Sequence, residues 1–435
     1  MGEREKCVRV GLLTLGVAAL GWMFTAQHQI SAAGQTAGPA DRRATFTHDS
    51  TLADEGPGVQ RLSAPAEAPA AFDNLTNGFV TQAEFDATKS VFEEVESIPD
   101  GLGPTYNAQS CRECHQNVVT GGASQITEQR TGHLIGGRFF DSQGGSLIAS
   151  RATHPDAMEL VAVGDNIRTF RISTNVLGAG FVESVSNNLL LAIRDAQPLS
   201  MRGLAVTIPV LEANGRARVG RFGWKSQHAS LESFAADAYL NEMGITSPLL
   251  PTENTVSGRD VAQYDTVKDP EDDGEDVKEF ATFMRATKAP PRGAITQAVR
   301  SGEQVFNQIG CVTCHVSSLV TAAPGTVING GVLTVPASLG NKVIHPYSDY
   351  LLHDIGTSDG IPIQPTDEFA PTASRMRTSP LWGLRTRNRL MHDGLTFTRE
   401  EAILRHAGQA SGVTNRYRAL SSLDKSNLVA FLNSL

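Results

Sequence analysis

Two short motifs carry the residues best suited to chemistry in this chain of 435 residues. They are Cys111-Arg-Glu-Cys114-His115 and Cys311-Val-Thr-Cys314-His315. On a helical turn, positions i, i+3 and i+4 lie on one face. Both thiols of a motif can therefore add to the vinyl groups of one haem while the histidine reaches the iron from the same side. This spacing is typical of c-type haem attachment, and we predict one covalent haem at each motif.

Cysteine pairs of this kind also occur in zinc sites and in redox disulfides. Zinc ribbons space their two pairs by roughly 15 to 20 residues, whereas Cys111 and Cys311 are 200 positions apart. The fifth cysteine, Cys7, lies near the N-terminus, so no further pair remains for a disulfide. The pattern therefore favours haem over zinc or a disulfide.

Whether a protein ligand occupies the sixth coordination position of each haem iron decides whether the protein is an electron carrier or an enzyme. For the second motif, candidate ligands are His345, His353, His392, His406, Met376 and Met391. For the first motif, candidates are His133, His154 and His228. A lone histidine or methionine is more often a packing residue, so spacing alone leaves these alternatives open.

The N-terminal residues 1–32 have the pattern of a secretory signal peptide. Three basic residues, Arg4, Lys6 and Arg9, precede the apolar stretch Val10–Phe24. That stretch is shorter than the ~20 residues of a usual membrane-spanning helix, although a retained anchor is the alternative. Residues 33–71 are rich in Ala, Gly, Pro and Thr and are predicted to form a disordered linker. We expect export to the periplasm or cell surface.

Composition excludes several classes of protein. The chain is 40% hydrophobic and 19% charged, which does not fit a collagen, a coiled coil or a multispan membrane protein. It has 46 acidic and 37 basic side chains, a net charge of -9, and no long Lys/Arg run. Nucleic acid is therefore not an expected partner, and a membrane contact is expected only if the leader is retained.

An internal repeat predicts two domains. Residues 276–287 and 424–435 both have the pattern of a short amphipathic helix that closes a unit. The segment Lys288-Ala-Pro-Pro-Arg292 is a natural boundary, because proline cannot continue a helix. We predict a mainly α protein with long loops and two cytochrome c-like domains, residues 72–289 with an insertion and residues 290–435. A first helix is expected over 82–97, a long loop over 251–276, and minor β hairpins over 216–222 and 326–335.

Several segments of the chain together resemble a known family. They are Gly101–Pro104, Gly220–Lys225, Tyr347–Gly356, Arg377–Arg385, His392-Asp-Gly394 and Glu400–His406. In this order they resemble the bacterial di-haem oxidoreductase family, which is similar to the di-haem cytochrome c peroxidase and MauG superfamily. The resemblance extends over most of the chain from about Gly101 and implies two c-type haem domains.

The resemblance also implies roles for single residues. His406 stands where the peroxidases carry a methionine ligand, which implies a second haem bound by His315 and His406 and a lower reduction potential. This departure resembles the di-haem oxygenases that cleave rubber. The first iron is expected to be open, with Glu242 or Glu183 as the carboxylate that moves protons. Trp224 is either a relay between the haems or a core residue.

Two further roles remain expectations. Arg377 and Arg385 could pair with haem propionates, because guanidinium groups suit carboxylates, or they could lie on the surface. Calcium is a candidate ion, since superfamily members often bind it between domains, although the chain has no calcium-loop pattern.

The function expected from these features is that of a di-haem peroxidase-like enzyme. Hydrogen peroxide or dioxygen is the expected oxidant, and a small redox protein is the expected electron donor. The alternatives are an oxygenase or protein-modifying oxidase, and a non-catalytic electron carrier with both irons six-coordinate.

Overall fold

The structure is a computed structural model that describes residues 64–254 and 258–435. The predicted leader and most of the predicted linker lie outside the described residues. The end of that linker, however, is part of the fold. Ala68 N donates to Val343 O at 2.9 Å and Ala71 N donates to Ala289 O at 3.0 Å. The boundary predicted near residue 72 is therefore too late, because these backbone bonds begin before it.

The described residues contain ten α-helices. They are α1 (Gln82–Glu93), α2 (Cys111–Cys114), α3 (Ala179–Glu183), α4 (Asn187–Ala196), α5 (Leu231–Ala238), α6 (Glu275–Ala286), α7 (Gln297–Ile309), α8 (Arg399–Leu404), α9 (Ser411–Arg418) and α10 (Ser422–Leu432). Side-chain oxygens cap several N-termini, as Thr81 does for α1 and Thr296 for α7. Among the described residues, none of the helices combines the length and apolarity that crossing a bilayer would need.

The strands are short. They are β1 (Ala66–Glu67), β2 (Thr105–Tyr106), β3 (Thr127–Ile135), β4 (Arg138–Asp141), β5 (Leu147–Ile148), β6 (Arg151–Ala152), β7 (Ile167–Ile172), β8 (Thr207–Val210), β9 (Arg216–Val219), β10 (Leu319–Val320), β11 (Val327–Ile328), β12 (Leu333–Thr334), β13 (Lys342–Ile344), β14 (Leu352–His353) and β15 (Met376–Arg377). The largest sheet pairs β3 antiparallel with β4, β5 and β7. A three-stranded sheet has the order β1-β13-β10.

The β structure is more extensive than predicted. The hairpin expected over 326–335 is present as β11–β12. Of the hairpin expected over 216–222 only the strand β9 lies in that range, because its partner β8 precedes it. The sheet built on β3 was not predicted, because Thr127–Ile135 is mostly polar and lacks the alternation of apolar residues that indicates a strand. This sheet forms one wall of the site described below.

Two pairs of packed helices reproduce the predicted repeat. Helix α1 packs on α6, and α7 packs on α10. Aromatic rings fill both contacts, with Phe92 and Phe283 at 4.6 Å between centroids and Phe306 and Phe431 at 5.1 Å. The closing helices predicted at 276–287 and 424–435 are therefore present as α6 and α10.

The boundary at 289/290 stays a prediction. Lys288–Arg292 does connect α6 to α7, as the prolines indicate. The largest buried cluster nevertheless contains Phe283 from one side of this boundary and Leu339 and Ile344 from the other. The two halves therefore share part of one hydrophobic core.

Candidate functional site

Both cysteine motifs form the helical turn that their spacing requires. Helix α2 is the first motif, and His115 N donates to Cys111 O at 3.1 Å. The second motif is a 3-10 turn, Cys311–Thr313, in which His315 N donates to Cys311 O at 3.0 Å. It follows Gly310, whose φ of 92° ends α7 and turns the chain into the motif. None of the four motif cysteines is in a disulfide.

Each motif lines its own cavity. Cys111, Cys114 and His115 line a cavity of about 200 Å³, here called the first cavity. The second motif lines another of about 190 Å³, here called the second cavity. Because the two pairs of thiols do not share a cavity, the structure supports the argument against one zinc site holding all four.

The two motif histidines have matching surroundings. Phe92 lies 6.2 Å from His115 with a 56° angle between the ring planes, and Phe306 lies 6.2 Å from His315 with a 57° angle. Burial lowers the pKa of each imidazole to about 4, so both are neutral at pH 7 and have a nitrogen lone pair for a metal. His115 Nδ1 is buried and has no hydrogen-bond partner among the described residues.

The second cavity brings His406 opposite His315. Their ring centroids are 6.4 Å apart. Metal–nitrogen bonds of about 2 Å on both sides of one ion separate two imidazole centroids by about 6 Å. His315 Nδ1 is bonded to Tyr347 O at 2.9 Å and His406 Nδ1 to Ala402 O at 2.7 Å. Both Nε2 atoms are thus left for an iron, and the residues present fit a bis-histidine haem.

Buried arginines in the second cavity also fit a haem. Arg377, Arg387 and Arg399 line it, and their hydrogen bonds go to backbone carbonyls. Burial lowers the pKa of Arg387 and of Arg377 to about 10. Buried charges of one sign need counter-charges, and haem propionates would supply them.

The two arginines that were predicted to pair with haem propionates differ in their placement. Arg377 lies in the second cavity, whereas Arg385 is exposed, donates to Pro291 O at 3.3 Å and stacks on Phe72. Arg387 and Arg399 were missed. The number of arginines between residues 375 and 405 could have indicated further candidates, but their placement in the cavity depends on how this loop folds over it.

The other ligand candidates of the second half divide into two groups. His353, His392, Met376 and Met391 also line the second cavity. His353 Nε2 is bonded to Asp349 Oδ2 at 2.8 Å. His345 lies elsewhere, exposed and bonded to Ser318 and Glu67.

The first cavity has carboxyl groups and a cation where the second has an imidazole. Glu242, Glu128 and Arg130 all line it, with Asn107 beside them. Asn107 Nδ2 donates to Glu242 Oε2 at 3.0 Å, and Arg130 Nε lies 2.5 Å from Glu128 Oε1. Burial, followed by the negative charge of Glu128, raises the pKa of Glu242 well above its usual value. This cavity therefore contains a carboxyl group that keeps its proton to a higher pH than an ordinary glutamic acid.

Glu183 lies in a different environment from Glu242. It is fully buried, and its carboxylate pairs with Arg285 Nε at 2.7 Å. It also accepts bonds from Leu231 N at 2.8 Å and Asn329 Nδ2 at 2.9 Å. Burial is the largest single influence and would raise its pKa, but Arg285, together with the bond from Leu231 N and the charge of Arg218, lowers it. Glu183 therefore holds a structural ion pair and lines neither cavity, and its role in moving protons stays a prediction.

The three histidines proposed for the first iron do not line the first cavity. His133 is bonded to Asp165 at 3.3 Å, His154 stacks on Tyr264, and His228 is bonded to Asp237 at 3.0 Å. Two thioethers that were not considered, Met243 and Met284, do line it.

Trp224 lines both cavities. Its Nε1 donates to Ile172 O at 2.8 Å, and Ile172 N donates to His392 O at 2.7 Å. Its ring lies 6.3 Å from that of His392. The indole is therefore held between the two motif sites by a continuous set of hydrogen bonds.

A polar cavity of about 210 Å³ adjoins the first cavity. Five residues line both, namely Arg130, Arg171, Gln227, Asp237 and Asn241. Near it, Glu253, Asp269 and Glu271 bring three carboxylates within 4.8 Å of one another. Burial and the neighbouring charges raise the pKa of Glu253 to about 8.

Comparison with known proteins gives a family match. The family model described as "Di-haem oxidoreductase, putative peroxidase" matches residues 140–435. The chain is similar to hydrazine synthase of Kuenenia stuttgartiensis, pressurised with 20 bar xenon, with 12% identity and a TM-score of 0.40 over 87% of this chain and 98% of that one. It is also similar to a MauG-like protein associated with microbial copper homeostasis, with 15% identity and a TM-score of 0.40 over 86% and 94%. No curated protein matches the chain.

Proposed function

Because the chain belongs to the di-haem oxidoreductase family, we propose that it is an exported enzyme with two covalent haems that reduces hydrogen peroxide. The observation that carries this proposal is the difference between the two cavities. His406 lies opposite His315 in one, whereas the described residues that line the other include carboxyl groups but no imidazole besides that of His115. One iron would thus be closed by protein ligands and the other open to a substrate.

The proposed attachment places one haem on Cys111, Cys114 and His115, and the other on Cys311, Cys314, His315 and His406. A haem with an open iron position supplies the redox chemistry that cleaves an O–O bond. One hydrogen peroxide, two protons and two electrons give two water molecules. A small redox protein is the proposed electron donor.

Glu242 is the residue proposed to move the protons. It lines the first cavity with the first motif, and its raised pKa keeps a proton on it to a higher pH than on an ordinary glutamic acid. Asn107 donates to its Oε2 and so limits its orientation. The adjoining polar cavity supports entry of a small polar oxidant, since Arg130, Asp237 and Asn241 line both spaces.

The second site is proposed to transfer electrons. Imidazole on both sides would leave its iron no position for substrate, and the half-buried Arg387 and Arg399 would hold the propionates. Trp224 is the proposed relay, because it lines both cavities and its indole can be oxidised transiently. Export and calcium binding stay predictions from the sequence.

An electron carrier is the competing function, and one observation favours it. Met243 and Met284 line the first cavity, so a thioether could close the first iron. Such a protein would have no position for peroxide.

Electron paramagnetic resonance of the oxidised protein, made in a host that matures c-type cytochromes, separates these functions. We expect one high-spin signal and one low-spin signal of bis-histidine character. His406→Ala should remove the bis-histidine signal, while His345→Ala, an exposed histidine of the same half, should leave both unchanged. Two low-spin signals that persist on partial reduction would overturn the enzyme in favour of the carrier.

A further inference from the structure

The first cavity contains a second carboxyl group whose role the proposed function does not use. Glu128 and Glu242 both line this cavity and are in side-chain hydrogen-bond contact. A carboxylate can only accept hydrogen bonds, so two carboxyl groups can bond to each other only when one carries a proton. The contact therefore requires a proton between them.

The surrounding bonds determine which group carries the proton. Ser150 N donates to Asn107 Oδ1 at 2.9 Å, which fixes the orientation of that amide. Asn107 Nδ2 must then donate to Glu242 Oε2. This bond limits the orientation of the Glu242 carboxyl group and by itself favours the ionised form, so the proton stays on Glu242 only because Glu128 keeps the negative charge.

Arg130 fixes the other member as the acceptor. Its Nε lies 2.5 Å from Glu128 Oε1, and its Nη1 donates to Ser146 Oγ at 3.2 Å. A guanidinium at this distance favours the ionised form of the carboxyl group beside it. Burial is the largest single influence and raises the pKa of Glu128, but the charge and hydrogen bond of Arg130, the hydrogen bond with Glu242 and the charge of Arg171 together lower that pKa.

We propose that Glu128 and Glu242 form a pair that shares a single proton, with Arg130 as the positioning residue that keeps the charge on Glu128. The use of this pair in turnover rests on the proposed function. The pair itself is a property of the resting protein and does not depend on that function. An acid and its conjugate base in contact can both accept and donate a proton, as two carboxyl groups that share a site do in aspartic proteases. The pair would then supply one of the two protons that the reduction of peroxide consumes, and the other would come from solvent.

The other charged groups that face the pair are few. Arg171 and Asp237 line the same cavity. Arg171 is bound to Asp359 at 2.7 Å, and Asp237 is bonded to His228. Cys114 is near Glu242, but in the proposed attachment its sulfur is in a thioether and does not titrate.

Infrared titration of the oxidised holoprotein, with ¹³C-labelled glutamate, tests the pair without any turnover. We expect the C=O band of one protonated glutamate to persist at neutral pH and to be absent in Glu242→Gln. In Glu128→Gln the band should titrate at lower pH, because the like charge and the acceptor are both removed. In Arg130→Gln it should titrate at higher pH, because the cation that favours ionisation is lost. Glu84→Gln, on the exposed side of α1, is the control and should leave the band unchanged.

Two results would overturn the pair. One is the absence of a protonated glutamate band at neutral pH in the wild-type protein. The other is a band whose titration moves in neither Glu128→Gln nor Arg130→Gln, since Glu242 would then be protonated by burial alone. The haem absorption spectrum of each variant checks that it has folded. If paramagnetic resonance shows no open iron while the band behaves as expected, the proposed function fails and the pair stands.

Discussion

The first and second cavities share the same local structure around the cysteine motif, but the other side chains that line them differ. Both have a cysteine motif on a helical turn and a phenylalanine 6.2 Å from the motif histidine. The second adds an imidazole 6.4 Å away and buried arginines. The first adds Glu128, Glu242 and Arg130. A repeated attachment motif therefore does not imply a repeated function, because residues far from the motif decide what the iron can bind.

The largest expected effect comes from removing one attachment motif at a time. Cys111→Ala/Cys114→Ala should lose the first haem only, and Cys311→Ala/Cys314→Ala the second only. Each variant should then carry one covalent haem in place of two, which intact mass and a haem stain measure. The first variant should have no peroxide turnover. Retention of both haems, or zinc bound in their place, would contradict the assignment of the cavities.

Removing the carboxyl group of Glu242, which holds the proton in the first cavity, should have the next largest effect on turnover. Glu242→Gln is expected to lower kcat by about 100-fold to 10,000-fold, the usual contribution of a general acid or base. The spin states should not change. Wild-type activity should fall as the pH rises through the raised pKa of Glu242, because the proton is lost, and this limb should be absent in the variant. Unchanged kcat in Glu242→Gln would remove Glu242 from the mechanism.

Glu183→Gln tests whether Glu183, unlike Glu242, contributes to stability and not to turnover. It should destabilise the fold by about 3 to 5 kcal/mol, since it leaves Arg285 buried without its partner, while turnover per folded molecule stays near that of the wild type. The pKa of Glu183 is lowered in the fold, so its contribution is complete above the unfolded pKa of about 4.3 and is lost as the pH falls through the folded pKa.

Denaturant unfolding at neutral and at acidic pH measures this difference. The gap between Glu183→Gln and wild type should narrow in acid. If the variant is as stable as the wild type but has much lower turnover, Glu183 takes part in the reaction.

The smallest expected effect concerns the connection between the cavities. Trp224→Phe keeps the aromatic packing but removes the bond to Ile172 O and the oxidisable indole. We expect electron transfer between the sites to slow by about tenfold, or about 1.4 kcal/mol of barrier, with both haems and their spin states retained. Stopped-flow spectroscopy of the two haems measures this rate. An unchanged rate would make Trp224 a packing residue.

Comparison of prediction and structure separates local from long-range information. The turns at Cys111 and Cys311, the closing helices α6 and α10 and the β11–β12 hairpin were predicted from the sequence. The sheet built on β3 was missed because its sequence is polar. Its position matters, since β3 contributes Glu128 and Arg130 to the first cavity.

The sequence by itself determined the features that depend on neighbouring residues. A Cys-x-x-Cys-His motif presents its thiols and imidazole on one turn whatever surrounds it. His406 could be proposed as a ligand from its place in a family pattern. Tertiary structure gave Glu242 and Glu183 different environments, because these come from Arg285, Glu128 and Asn107, which are distant along the chain. A carboxyl group's protonation depends on burial and nearby charge, and only the folded chain brings these together.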